Sequence, residues 1–221
     1  LAVSNARTAE MCKLTENSFR DVNIAFANEL SLICDKLDIN VWELIRLANK
    51  HPRVNILQPG CGVGGHCIAV DPWFIVDTTP KEARIIHTAR EINDYKPHWV
   101  LEKVKVAITD VLAKSPDKRM KDITVACLGL AFKPDIDDLR ESPAVELTHM
   151  IAELGCQVIA VEPNITTLPP ALAASSSVTL GTLTEALAAA DVPCLLVKHH
   201  EFKDNAEKIK SITSLIDVVG L

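Results

Sequence analysis

Glycine is scarce in this 221-residue chain: there are only eight, and aromatic residues make up just 4%. Four of the eight glycines, Gly60, Gly62, Gly64 and Gly65, fall within six consecutive residues. The freest backbone is therefore concentrated in one loop, which must turn through positive φ or lie very close to something else. No run of Lys or Arg stands out, and 23 basic against 29 acidic residues leave a net charge of −6. A nucleic-acid backbone is not an expected partner. No apolar stretch approaches the roughly 20 residues a bilayer demands, so no membrane span is expected. The seven cysteines are odd in number and lack paired spacing, which fits a reduced, cytoplasmic compartment. The chain lacks an initiator Met and a basic-then-apolar leader, and it stops just after an apolar run. Both ends are expected to be cut from something longer.

What is present, 48% apolar and 24% charged residues, suits one large or two small domains with their own cores. From about Thr8 to Leu37 there is no Pro or Gly, and Leu14, Val22, Phe26, Leu30, Ile33 and Leu37 recur at helical spacing, which predicts one long helix. Asn40 is the expected N-cap of a second helix carrying Val41, Leu44, Ile45 and Ala48. After Pro52 and the glycines, a third helix is predicted to begin at His66-Cys67. Pro80 opens a fourth pattern, and Pro97 a fifth that runs to about Ala113.

The pattern changes after Ser115-Pro116-Asp117. Ile123 to Leu128, Val158 to Val161, Val192 to Val197 and Leu215 to Val219 read as strands, with helices over Pro143 to Leu154 and Thr182 to Ala190. Such alternation implies a parallel sheet covered by helices. The expected class is α/β: an all-helical unit over residues 1–115, then a Rossmann-like unit over 120–221. Ala171 to Ser177 is expected to be a surface loop.

Three segments can carry chemistry. In Gln58-Pro59-Gly60-Cys61-Gly62-Val63-Gly64-Gly65-His66-Cys67, a glycine loop leads into a predicted helix whose first turn holds Cys67. Free amides and the helix dipole there favour a thiolate, which makes Cys67 the nucleophile candidate. Asp71 lies one turn on. The alternative is a buried structural cysteine, against which the glycine density weighs. No Lys-Ser/Thr follows the glycines, so a Walker A site is excluded, and the loop does not follow a strand, so it is not a dinucleotide fingerprint. No metal site is expected, because Cys61, His66 and Cys67 lack a further ligand. Lys13 and Asn17 share a helical face; they are a solvated pair in isolation, and an oxyanion-stabilising pair if they meet Cys67. Gly129-Leu-Ala-Phe-Lys133-Pro-Asp-Ile-Asp-Asp-Leu-Arg140-Glu-Ser142-Pro sits at the carboxyl end of the first strand, where open α/β sheets bind ligands. Lys133 and Arg140 suit phosphates there; the alternative is a charged loop paired within itself. His199-His200-Glu201 follows a later strand at the same edge.

Together, Gly-x-Gly-Val-Gly-Gly-His-Cys-x3-Asp, the upstream Lys-x3-Asn and the Gly-Leu-Ala-Phe-Lys-Pro segment resemble the UDP-glucose/GDP-mannose dehydrogenase family. Arg53-Val-Asn-Ile-Leu-Gln-Pro-Gly and Cys67-Ile-Ala-Val-Asp-Pro-Trp-Phe look most like its N-acetylmannosamine branch, although Cys61 stands where that branch usually has Pro. The resemblance implies oxidation of a UDP-sugar C6 alcohol to a carboxylate with two NAD+, through a thiohemiacetal and thioester on Cys67. It implies oxyanion and water handling by Lys13 and Asn17, and a carboxylate, Asp71, beside the nucleophile. It further implies substrate contacts from Lys133, Gly64, Gly65 and, in a partner subunit, Arg53, a cofactor contact from Arg140, and a homodimer through the first helices. The glycine loop is then a flexible approach to Cys67. The family's N-terminal NAD-binding Rossmann domain has no counterpart in these residues, so the 221 residues alone are expected to be inactive.

Overall fold

The computed structural model describes residues 2–221. A 31-residue helix, α1 (Ala6–Lys36), opens the chain; the Asn5 side chain caps it by accepting the Thr8 amide at 2.9 Å. The second helix, α2 (Val41–Ala48), starts at Asn40 as predicted, with Asn40 Oδ1 accepting the Glu43 amide at 2.9 Å. These helices share a small core of Ala27, Cys34, Val41 and Ile45.

Two helix boundaries differ from expectation. Residues 66–70 form turns, and α3 (Asp71–Thr78) begins only at Asp71. Pro72, at the start of α3, has no N–H to donate, and the first turn of a helix is where that omission is harmless. The helices expected from Pro80 and Pro97 are one, α4 (Arg84–Lys114), with Pro97 inside it. Proline there removes the N–H that the Asn93 carbonyl would accept. Burial of α4 on both sides of it, from Ala89 and Asn93 to Val100, Val104 and Ile108, overrides the break.

The second half builds five parallel strands: β1 (Thr124–Leu128), β2 (Gln157–Val161), β3 (Val178–Leu180), β4 (Val192–Leu195) and β5 (Ile216–Asp217), in the order β3-β2-β1-β4-β5. Strand β3 was not expected, being only three residues long. Helix α5 (Pro143–Glu153) connects β1 to β2 and α7 (Leu183–Ala189) connects β3 to β4. The short α6 (Pro170–Ala173) occupies part of the expected surface loop, and α8 (His200–Asp204) and α9 (Ala206–Lys210) precede β5.

Alternation along β1 sends Val125 and Cys127 into one core and Ala126 and Leu128 into another. The first core also contains Val100, Val104 and Ile108 of α4 with Leu147 and Ile151 of α5. The second is closed by Leu183, Ala186 and Phe202. The largest core therefore crosses residues 115–120, where the domain boundary was expected, because the second half of α4 serves as a covering helix of the sheet.

Candidate functional site

Helix α1 presents Lys13 and Asn17 one turn apart, and Lys13 Nζ donates to Asn17 Oδ1 at 3.4 Å. Asn17 is buried, and its Nδ2 donates to Asp71 Oδ2 at 2.5 Å. The Asp71 amide donates in turn to the Cys67 carbonyl at 2.8 Å. Residues far apart in the chain thus form one line, Lys13–Asn17–Asp71, ending against the turn that carries the half-buried Cys67. Cys67 lies ahead of α3, so the free amides and dipole of that helix serve Asp71, and the dipole argument made for the thiol does not hold. Among the described residues, no group of three or more His, Cys, Asp or Glu is arranged to hold a metal ion.

The glycine loop is packed tightly at Gly62, Gly64 and Gly65, where a flexible approach was expected. A Cβ on Gly64 would lie 2.4 Å from the Glu141 carbonyl oxygen and 2.8 Å from Phe132 Cβ. Gly65 takes φ +84°, lies against the Phe132 ring, and donates its amide to the Arg140 carbonyl at 3.0 Å. Gly64 and Gly65 therefore join the Cys67 turn to the loop between β1 and α5. Gly62 lies beside the Asn93 carbonyl that Pro97 leaves unbonded; a Cβ there would be 3.0 Å from that oxygen.

Arg140 is 63% exposed and its guanidinium binds Asp138 through Nε (2.9 Å) and Nη2 (2.6 Å). That pairing holds the Asp138 carboxyl at about 2 and raises Arg140 further, with the Cys67 thiol adding to the rise in Arg140 and His66 to the depression of Asp138. Cys67, His66 and Arg140 are thus electrostatic neighbours across the seam. Arg53 sits in an exposed turn after α2, where its amide contacts His51 Nδ1 at 3.3 Å. Among the described residues it has no hydrogen bond or ion pair to Cys67, Asp71, Asn17 or Lys13.

On the other side of the glycine loop a cavity of about 450 Å³ opens between Gly60, Cys61 and Gly62 and the carboxyl edge of the sheet. Lys133 and Lys198 both line it. Lys133 Nζ stands 5.6 Å from the centre of the Phe132 ring. Lys198, which hydrogen-bonds the Gly220 carbonyl, escaped the sequence reading because a single lysine after a strand carries no motif. Two cations, an aromatic ring and backbone on a largely apolar wall suit a ligand with an anionic end.

Two family models match the chain: the central domain of the UDP-glucose/GDP-mannose dehydrogenase family over residues 7–95, and the UDP-binding domain of the same family over residues 126–219. The chain belongs to the UDP-glucose/GDP-mannose dehydrogenase family. It is 65% identical over 202 residues to UDP-N-acetyl-D-mannosamine dehydrogenase of Escherichia coli K12, covering 91% of this chain and 47% of that protein. It is 59% identical over 221 residues to NDP-N-acetyl-D-galactosaminuronic acid dehydrogenase of Ralstonia nicotianae, covering 99% of this chain and 49% of that one. The chain therefore spans about half the length of these relatives. Among solved structures, it resembles UDP-D-ManNAc dehydrogenase from Pyrococcus horikoshii with a TM-score of 0.77 at 35% identity, over 98% of this chain and 49% of that one.

In the terms of the dehydrogenase family, Lys13, Asn17, Arg53, Gly64, Gly65, Cys67 and Asp71 fall in the central domain, and Lys133, Arg140 and Lys198 in the UDP-binding domain. The seam between the glycine loop and the β1–α5 loop is the contact between those two domains.

Proposed function

We propose that this chain supplies the nucleophile and the UDP-sugar site of a nucleotide-sugar 6-dehydrogenase that oxidises UDP-N-acetyl-D-mannosamine to the uronate, using two NAD+. The observation that carries this reading is the convergence of Lys13, Asn17 and Asp71 on the Cys67 turn, next to a cavity lined by Lys133 and Lys198. Membership of the family and the relatives that act on N-acetylated UDP-sugars support it.

NAD+ would accept two electrons as the C6 alcohol becomes an aldehyde and two more as the thiohemiacetal becomes a thioester. The exposed guanidinium of Arg140, close to Cys67, fits an anionic dinucleotide at the seam. The Cys67 sulfur adds to the aldehyde carbon, and the resulting oxyanion is stabilised by Lys13 and the Asn17 amide. Asp71 fixes the Asn17 amide by accepting its N–H, and orients the water that cleaves the thioester. Water adds to the acyl carbon, the thiol leaves with a proton, and the uronate is released.

Exposed Phe19, Phe26 and Ile33 on α1, spaced by seven residues, and the apolar groove where Phe26 meets Ile85 support a homodimer through the central helices. Seven cysteines without a disulfide support a reducing, cytoplasmic setting.

Calorimetry with UDP tests the binding half: the chain is expected to bind, and Lys133→Ala to weaken binding about tenfold, the scale of one charge-assisted contact. A panel of UDP-sugars with NAD+ tests the rest on the protein joined to its cofactor domain. UDP-N-acetylmannosamine should turn over fastest, and the 221 residues alone should not turn over. Failure to bind UDP, or turnover that survives Cys67→Ser, would end the proposal.

A further inference from the structure

Three strand ends meet at the carboxyl edge of the sheet beside the cavity: Leu130 and Ala131 after β1, Glu162 after β2, and His199 after β4. The Glu162 side chain is fully buried. Its Oε2 accepts the amides of Leu130 at 2.8 Å and Ala131 at 2.9 Å, and its Oε1 accepts the Asn164 amide at 3.2 Å and Nδ2 at 3.0 Å. Burial alone would raise the Glu162 carboxyl; the His199 ring and those amides outweigh it, so it lies below its ordinary value. In open α/β sheets the amides after the first strand ordinarily receive a ligand's anion. Here a carboxylate of the chain itself fills the Leu130 and Ala131 amides, which leaves Lys133 and Lys198 as the cations that line the cavity.

The buried His199 touches both sides of this arrangement. Its Nε2 lies 2.9 Å from Glu162 Oε2, an ion-pair distance without hydrogen-bond alignment, and its Nδ1 accepts the Asp135 amide at 3.0 Å and faces Asn164 Nδ2 at 3.3 Å. A ring nitrogen that accepts an N–H carries no proton, which assigns the ring hydrogen to Nε2, facing Glu162. Asp135 adopts φ +62° and is held again by its carboxylate, which accepts the His200 amide at 2.8 Å and meets the His200 ring. Pro134, with its fixed φ, is all that separates Asp135 from Lys133. The buried ring therefore anchors the backbone two residues from Lys133.

We propose that His199, oriented by Glu162, is a positioning residue for nucleotide-sugar binding that acts through Asp135 on Lys133. This rests on the UDP-sugar reading above. Asn offers an acceptor where Nδ1 stands, and Gln a donor where Nε2 stands, so the two substitutions separate the two halves of the ring. His199→Asn should keep slow hydrogen exchange of the Asp135 amide and UDP affinity within about threefold of the original, whereas His199→Gln should lose both, weakening UDP about tenfold. Because His199 acts through Lys133, adding His199→Gln to Lys133→Ala should cost no further affinity. Slow exchange of the β1 and β2 amides confirms that each variant is folded. Equal losses from Asn and Gln, an Asp135 amide still protected in His199→Gln, or additive losses in the double variant would overturn the proposal. If UDP fails to bind the unsubstituted chain, the functional reading falls, and the Asp135 exchange still decides whether His199 holds the loop.

Discussion

Of the seven thiols, Cys12 is exposed, Cys67 is half-buried and the other five are buried. Burial pushes Cys61 and Cys127 up to about 12, so neither presents a thiolate near neutrality. Iodoacetamide at pH 8 should modify Cys12 and Cys67 and leave Cys34, Cys61, Cys127, Cys156 and Cys194 intact, with UDP-N-acetylmannosamine protecting Cys67 alone. Peptide mass mapping checks this, and labelling of Cys61 at the same rate would show that the glycine loop opens. A second residue-scale consequence concerns Lys96, which is 2% exposed, with Nζ 2.5 Å from Ser31 Oγ and 4.0 Å from the centre of the Trp99 ring. Burial lowers it from 10.5 to about 8. The folded state then binds fewer protons than the unfolded state between pH 8 and 10.5, so stability rises with pH there, by up to about 1.4 kcal/mol per unit. From about pH 8 upward the buried thiols act in the opposite sense, since only the unfolded chain can ionise them. Urea denaturation should therefore show the stability of the original chain relative to Lys96→Met rising between about pH 8 and 10, and a difference that stays constant with pH would refute this.

At the scale of elements, the glycine loop gives the cleanest contrast. Nothing lies within 4 Å of a Cβ on Gly60, whereas one on Gly64 meets backbone at 2.4 Å. Gly60→Ala should be neutral or stabilise by about 0.5 kcal/mol through a less flexible unfolded chain. Gly64→Ala should destabilise by about 2 kcal/mol or more, because the Glu141 backbone cannot swing aside as a side chain would. Thermal melts of the pair test it. The same elements show what could be read in the sequence. Asn40, Ser142-Pro143 and the short β-branched runs announced α2, α5 and four strands, because caps and alternation are local. Pro97 misled, since the force that carries α4 past it is packing against the sheet, supplied from elsewhere in the chain. The site divided in the same way. Lys13, Asn17 and Asp71 carry helical spacing or a motif, but the bond from Asn17 to Asp71 spans 54 residues, and no periodicity reveals it. Glu162 follows β2 whereas Lys198 and His199 follow β4, and only the parallel register brings those two strand ends together.

For the molecule as a whole, the shared core of α4, α5 and the sheet predicts one cooperative unfolding transition, with far-UV circular dichroism and tryptophan fluorescence coinciding. Trp42 on α2 reinforces this, because Gly220 packs under its ring: a Cβ there would lie 2.4 Å from it. Two separate transitions would mean that the halves fold independently. The proposed homodimer would use the exposed face of α1 and the start of α4. Phe26→Glu combined with Ile85→Glu should shift a dimer to monomers in light scattering while the melt is preserved, since both side chains are largely exposed, at 49% and 72%.

Helix α4 is continuous for 31 residues, a rod of about 46 Å at 1.5 Å per residue. Its first half packs on α1 and α3 and its second half on the sheet, so both walls of the seam are mounted on one beam. The Cys67 turn and the Lys133 loop are consequently both anchored, through α3 and the sheet, to the same helix. On the UDP-sugar reading proposed above, epimers and acyl groups would then be told apart by how the sugar nucleotide fits the spacing of these two walls.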